Sequence, residues 1–99
     1  MSKPWYTDAV RHMLRFYCKN IVTPYFKTKA DEDNYLACQK VLRRYCKREC
    51  DIVQTVYGNN GSIFDNINIA AKHYHVNKNE IWALLQEIDK KIAQERGLL

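Results

Sequence analysis

A chain of 99 residues can bury one hydrophobic core but not two. With 46% apolar residues, seven Tyr, three Gly and two Pro, it is neither a linker nor a low-complexity tail, and it shows no internal repeat. No stretch stays apolar and uncharged for the ~18 residues a membrane helix needs. The opening Met1-Ser2-Lys3-Pro4-Trp5 has no signal-peptide pattern, so a cytoplasmic protein without membrane contact is expected.

The formal charge of +5 is uneven. Residues 1–50 carry eleven Lys/Arg against five Asp/Glu, a balance of +6, whereas residues 51–99 carry five against six, a balance of −1. A basic surplus suits nucleic acid or another acidic partner, and here it lies in the first half.

In chain order, residues 8–21 read as a first helix, with Val10, Leu14, Tyr17 and Ile21 on one face and Thr7 as its N-cap. Pro24 stops propagation, because it lacks an amide hydrogen and disfavours helix at Thr23. Thr28 and Asp31 both offer a cap for a second helix, predicted over residues 32–45, whose Tyr35, Cys38, Leu42 and Tyr45 recur at helical spacing. A third helix is expected over residues 48–57, with Ile52, Val53 and Val56 inward; the join near Cys46 is weakly marked, so the second and third could be continuous. Gly58-Asn59-Asn60-Gly61 is a turn, since Gly and Asn both tolerate positive φ.

After that break, Ser62 to Asp65 gives a helix start, and Ile67, Ala70, Ala71 and Tyr74 share a face. Asn77, followed three residues later by Glu80, suggests a capping box with Asn in place of Ser or Thr. Ile81, Leu84, Leu85, Ile88 and Ile92 form one apolar stripe behind it, and Gly97 is a natural C-terminal cap. No segment alternates as a strand does. The fold class expected is all-α: one domain over residues 1–99, a compact bundle of about five helices. Residues 1–30 supply an N-terminal helix and connector, and residues 31–99 the remainder, closing on two crossing helices over about residues 65–97.

Enzymatic readings find little support. In a reducing compartment Cys18, Cys38, Cys46 and Cys50 are expected as free thiols, buried or half-buried. Cys46 and Cys50 are four apart and His73-x-His75 is the only other soft-ligand pair, whereas a structural zinc site shows two tight ligand pairs. Gly58-x-x-Gly61 lacks the lysine of a phosphate loop. His12, one turn from Asp8, fits a helix surface, and Asp31, Glu32 and Asp33 suit the positive end of a helix dipole. No nucleophile has an identifiable base. The chain reads as a non-enzyme without cofactor, metal or small-molecule substrate.

Two helices joined only by His75-Val76-Asn77 must cross sharply, with a small residue, Ala71, at their approach and Tyr74, Val76, Ile81 and Leu84 packing the turn. That is the logic of a helix-turn-helix, whose second helix can enter the major groove. His75 stands where such turns commonly have Gly, so His must adopt a turn conformation that Gly reaches more cheaply.

The run from about Lys40 to Gly97 resembles region 4 of the sigma-70 family. Ile52-Val53-Gln54-Thr55-Val56-Tyr57 occupies the place of the helix before that family's helix-turn-helix, and Ile92-Ala93-Gln94-Glu95-Arg96-Gly97-Leu98 is similar to the tail of such regulators. The whole chain is similar to small sigma-like regulators of phages and mobile elements in low-GC Gram-positive bacteria. The resemblance implies a transcription regulator that binds double-stranded DNA, with RNA polymerase or another regulator as a further partner. It makes Asn77, Lys78, Asn79, Trp82, Ala83 and Gln86 the DNA-facing positions. Asn and Gln suit adenine, and Lys suits guanine or phosphate.

Phosphate neutralisation supplies most DNA affinity. Lys72 and Lys78 lie near the motif, but Glu80, Glu87 and Asp89 oppose them. The densest basic cluster is upstream, where Lys40, Arg43, Arg44 and Lys47 would share a face if helical, with Arg48 beside them. This cluster would grip DNA backbone or an acidic partner, or simply be a solvated face. Trp82 is either a cap on the core beside Leu85 or an anchor for a partner. The alternative to a DNA reader is a protein-interaction module, or a phage structural or packaging component, that reuses the fold.

Overall fold

The computed structural model describes residues 3–99, which form five helices and no strand. These are α1 (Thr7–Lys19), α2 (Lys29–Leu42), α3 (Lys47–Gly58), α4 (Ile63–Tyr74) and α5 (Lys78–Glu95). They pack as the expected all-α bundle. No helix is long and apolar enough to cross a membrane.

The expected inward face of α1 is buried at Val10, Leu14 and Tyr17, with Met13 and Cys18 beside them. Both ends differ from the sequence expectation. Thr7 is not the cap: it is buried in the first turn, Tyr6 holds the cap position without a side-chain bond, and the Thr7 amide donates to Pro4 O at 3.1 Å. At the other end, Asn20 Nδ2 donates to Phe16 O at 2.8 Å, a local bond that competes with helical continuation. The helix stops at Lys19, and Ile21 leaves the apolar face, 45% exposed.

Thr28 rather than Asp31 caps α2, its Oγ1 accepting from the Asp31 amide at 3.1 Å. The helix therefore starts earlier than residue 32, and it ends at Leu42, not Tyr45. Residues 43–46 form a turn whose last member, Cys46, caps α3; Glu49 Oε1 accepts from the Cys46 amide at 3.1 Å. A cysteine is not a usual N-cap residue, which is why the break is faint in the sequence. The consequence matters for the basic cluster: Lys40 lies on α2, Arg43 and Arg44 in the turn, and Lys47 and Arg48 on α3, so no single helix face carries them.

The turn between α3 and α4 is where the sequence places it. Gly61 has φ +99°, a conformation natural to glycine, and Ser62 caps α4 by accepting from the Asp65 amide at 3.0 Å. Buried Asn66 locks the turn from below, its Nδ2 donating to Val56 O at 2.9 Å and Asn59 O at 3.2 Å.

His75 is the one non-glycine residue with positive φ among those described, at φ 55° and ψ 47°. It ends α4, and the Val76 amide donates back to Ala71 O at 3.0 Å. Ala70 is fully buried, and Ala71, expected at the approach of the two helices, is half-buried against the core. Asn77 caps α5 through its Oδ1, which accepts from the Asn79 amide at 2.8 Å. The bond goes to Asn79 rather than Glu80, and Glu80 makes no return bond to the Asn77 amide among the described residues, so Asn77 is a simple cap and not the expected capping box.

Helix α5 is the strut of the bundle, packed on α1, α2 and α4. Ile81, Leu85, Ile88 and Ile92 of its stripe are buried, as is Ala93, while Leu84 is half-buried. Each large side chain contributes about 1.5–3 kcal/mol on burial. Gly97, φ 79°, closes the helix: its amide donates to Gln94 O at 3.2 Å and that of Leu98 to Ala93 O at 2.8 Å.

Candidate functional site

The solvent face of α5 carries Asn77, Lys78, Asn79, Ala83 and Gln86, all exposed. Asn77 has its carbonyl oxygen committed to the cap, so Asn79 and Gln86 are the amides on this face with uncommitted side chains. Lys72 is exposed on α4. Glu80 and Glu87 share the α5 face with the amides. Glu87 accepts from Lys91 Nζ at 2.9 Å and from Tyr45 OH at 2.8 Å, and these donors hold its carboxyl below the usual range.

Trp82 is half-buried. Its ring lies 6.5 Å from that of Phe64, which is 56% exposed, and the Arg11 guanidinium sits over it at 5.9 Å. It therefore joins α1, the start of α4 and the first half of α5 into one surface. A cation over an indole face is attractive by about 0.5–1 kcal/mol when partly exposed.

The cluster from Lys40 to Arg48 runs from the end of α2 through the turn into the start of α3, and much of its charge is internally matched. Lys40 Nζ meets Glu95 Oε1 at 2.7 Å, Arg44 meets Glu95 Oε2 at 3.7 Å, and Lys47 meets Asp51 at 3.1 Å. Lys40, with Arg44 behind it, lowers the Glu95 pKa, so that carboxylate stays charged opposite them. Arg48 donates to Tyr74 O at the end of α4, and Arg43 is exposed with no ion pair among the described residues. Glu95 is 55 residues from Lys40, too distant for the sequence pattern to reveal the match.

A second row of cations escaped the sequence reading. Arg11, Arg15 and Lys19 follow one another at four-residue steps along α1, so they form a ridge on one face. Arg15 donates to Gly61 O at 2.8 Å and Lys19 to Asn60 Oδ1 at 3.0 Å, both on the α3–α4 turn. None of the three makes an ion pair among the described residues. The i, i+4 repeat of basic residues was the available signal.

Between the lead-in to α1 and the flank of α5 runs a groove of about 530 Å³, with Pro4, Tyr6 and Arg11 facing Ala83, Gln86 and Lys90. Asp89 forms part of its floor and is 4% exposed. Its Oδ1, Arg11 Nε and the Tyr57 hydroxyl are buried polar atoms without a hydrogen-bond partner among the described residues. Burial pushes the Asp89 carboxyl up to about 7, only partly opposed by Arg11 nearby. Burial, reinforced by Asp89, likewise raises the Tyr57 hydroxyl. Asp89, counted in the sequence among the acids opposing Lys72 and Lys78, is instead buried in the apolar stripe, four residues after Leu85 and four before Ala93.

Burial pushes Cys18 and Cys38 up to about 12, so neither supplies a thiolate near neutral pH. Among the described residues no three His, Cys, Asp or Glu side chains gather as a metal site. No family model matches this chain, and no curated protein or solved structure matches it significantly.

Proposed function

We propose that this chain is a sigma-region-4-like regulator of transcription, of the kind carried by phages and mobile elements, that binds duplex DNA through α4 and α5, either alone or with RNA polymerase. The supporting observation is the exposed start of α5. A three-residue turn delivers Asn77, Lys78 and Asn79 at one end of a helix whose opposite face is anchored in the core, and Ala83 and Gln86 continue the same surface. A helix held this way can enter a major groove end-first, with Asn79 and Gln86 reading base edges. The mechanism is non-covalent recognition and involves no catalysis. Selection from a randomised duplex pool tests it: wild type enriches a motif, and Asn79→Ala with Gln86→Ala relaxes that motif. Failure to enrich any motif would refute sequence reading by α5.

A second reading has its own support. Phe64 and Ile69 are 56% and 57% exposed on α4, with half-buried Trp82 beside Phe64, and apolar side chains of this kind anchor protein partners. A protein-interaction module would lose partner binding on Phe64→Ala while showing no duplex binding at low salt.

A further inference from the structure

The proposed reading of bases by α5 leaves open where the phosphate backbone is held. Affinity for duplex DNA follows the number of phosphates neutralised, so a cation already facing a carboxylate contributes less than one facing only neutral groups. On the α2–α3 flank, Lys40, Arg44 and Lys47 all face carboxylates at 2.7–3.7 Å. On the α1 flank, Arg15 and Lys19 are held by a backbone carbonyl and an amide oxygen, groups that orient a cation without cancelling its charge.

Position reinforces charge. Arg11 both borders the groove beside Ala83 and Gln86 and stacks over Trp82. Phe64, in contact with Trp82, lies three residues beyond Gly61, the turn residue that Arg15 holds. One continuous surface therefore runs from Gln86 through Arg11, Trp82 and Phe64 to Arg15 and Lys19. From Arg11 to Lys19 the ridge extends about 12 Å along α1, and a DNA strand carries a phosphate every ~3.4 Å of helix axis. A ridge of that length is long enough to meet more than one phosphate.

We propose that the α1 ridge of Arg11, Arg15 and Lys19, with the Trp82–Phe64 pair beside it, is the duplex backbone-binding surface that positions α5, in place of the carboxylate-matched Lys40, Arg44 and Lys47. This assignment rests on the duplex-binding reading above and adds which flank meets the phosphates. The aromatic pair packs against sugars, and the cations release counterions.

The test uses full-length protein and a labelled mixed-sequence duplex of about three helical turns, titrated from about 50 to 200 mM salt. Arg15→Gln/Lys19→Gln keeps hydrogen-bonding side chains at both positions but removes two charges; a thermal melt alongside verifies folding. Arg11 is left intact because it also borders buried Asp89. The logarithmic salt slope of this variant falls by about 2 in magnitude, so wild type loses about tenfold more affinity than the variant across that range. Lys40→Gln/Lys47→Gln changes the slope by less than half as much. An unchanged slope for the folded α1 variant, with a reduced slope for Lys40→Gln/Lys47→Gln, would overturn the ridge while leaving duplex binding intact. Tighter binding to the single strand than to the duplex would overturn the choice of partner, and no binding at low salt would overturn both readings.

Discussion

Two groups of cations border the bundle, and they are built differently. On one side Lys40, Arg44 and Lys47 fold back onto Glu95 and Asp51, joining α2 to the end of α5 and tying the first turns of α3 together. On the other, Arg15 and Lys19 are held by a neutral turn, and Arg11 lies over an indole ring with buried Asp89 nearby. Beside Arg11, the buried Asp89 Oδ1, Arg11 Nε and Tyr57 hydroxyl lack hydrogen-bond partners among the described residues. The density of positive residues in a sequence is therefore a poor guide to free positive charge. What matters is which carboxylates the fold returns to them.

The largest effect tests the strut that both flanks share. Ile88 is fully buried in α5, and Ile88→Ala leaves a cavity costing about 2–5 kcal/mol, read as a lower urea midpoint. A loss under ~1 kcal/mol would mean that α5 is not the packed strut that both flanks share.

Asp89 sharpens the contrast on the Arg11 side. Its folded pKa of about 7 lies above the unfolded value of 3.8, so the native state binds this proton more tightly. The linked stabilisation is full below about pH 4 and is lost as pH rises through 7. Urea melts therefore show wild type about 2–3 kcal/mol less stable at pH 8 than at pH 5 from this group, and Asp89→Asn removes most of that difference. A wild-type stability that rises between pH 5 and 8, unaffected by Asp89→Asn, would contradict the burial of an unpaired carboxylate.

At the hinge between α4 and α5, His75→Gly relieves a left-handed residue whose side chain is exposed and makes no hydrogen bond among those described. A gain of about 0.5–1 kcal/mol is expected, raising Tm by several degrees for a domain this size. A lower Tm would show that the imidazole supports the turn. The smallest effect lies on the paired flank. Lys40 is 63% exposed, so a double-mutant cycle of Lys40→Ala with Glu95→Ala shows the weakest coupling of these tests, and it diminishes further at high salt.

These expectations also mark what the sequence made legible. The α5 stripe, the Asn77 cap, the Gly97 stop and the unusual His75 conformation follow from local rules of period and φ, and all four are present. The end of α1 and the break after Leu42 were less legible. They depend on an Asn20 amide returning to its own helix and on a cysteine acting as a cap. Least legible was the electrostatics of the candidate site. The exposure of Asn79, Ala83 and Gln86 follows from helical period, but the Lys40–Glu95 pair is non-local. The α1 ridge was visible as spacing; its nearness to Trp82 came only with the fold.

The central claim is that duplex DNA meets the start of α5 and the open α1 flank together. Backbone-amide NMR shifts of the full chain, followed on adding a mixed-sequence duplex at low salt, test it most directly. The largest perturbations are predicted over residues 77–86 and 11–19, with little change over residues 40–48. Perturbations centred on residues 40–48, or none at saturating duplex, would contradict it.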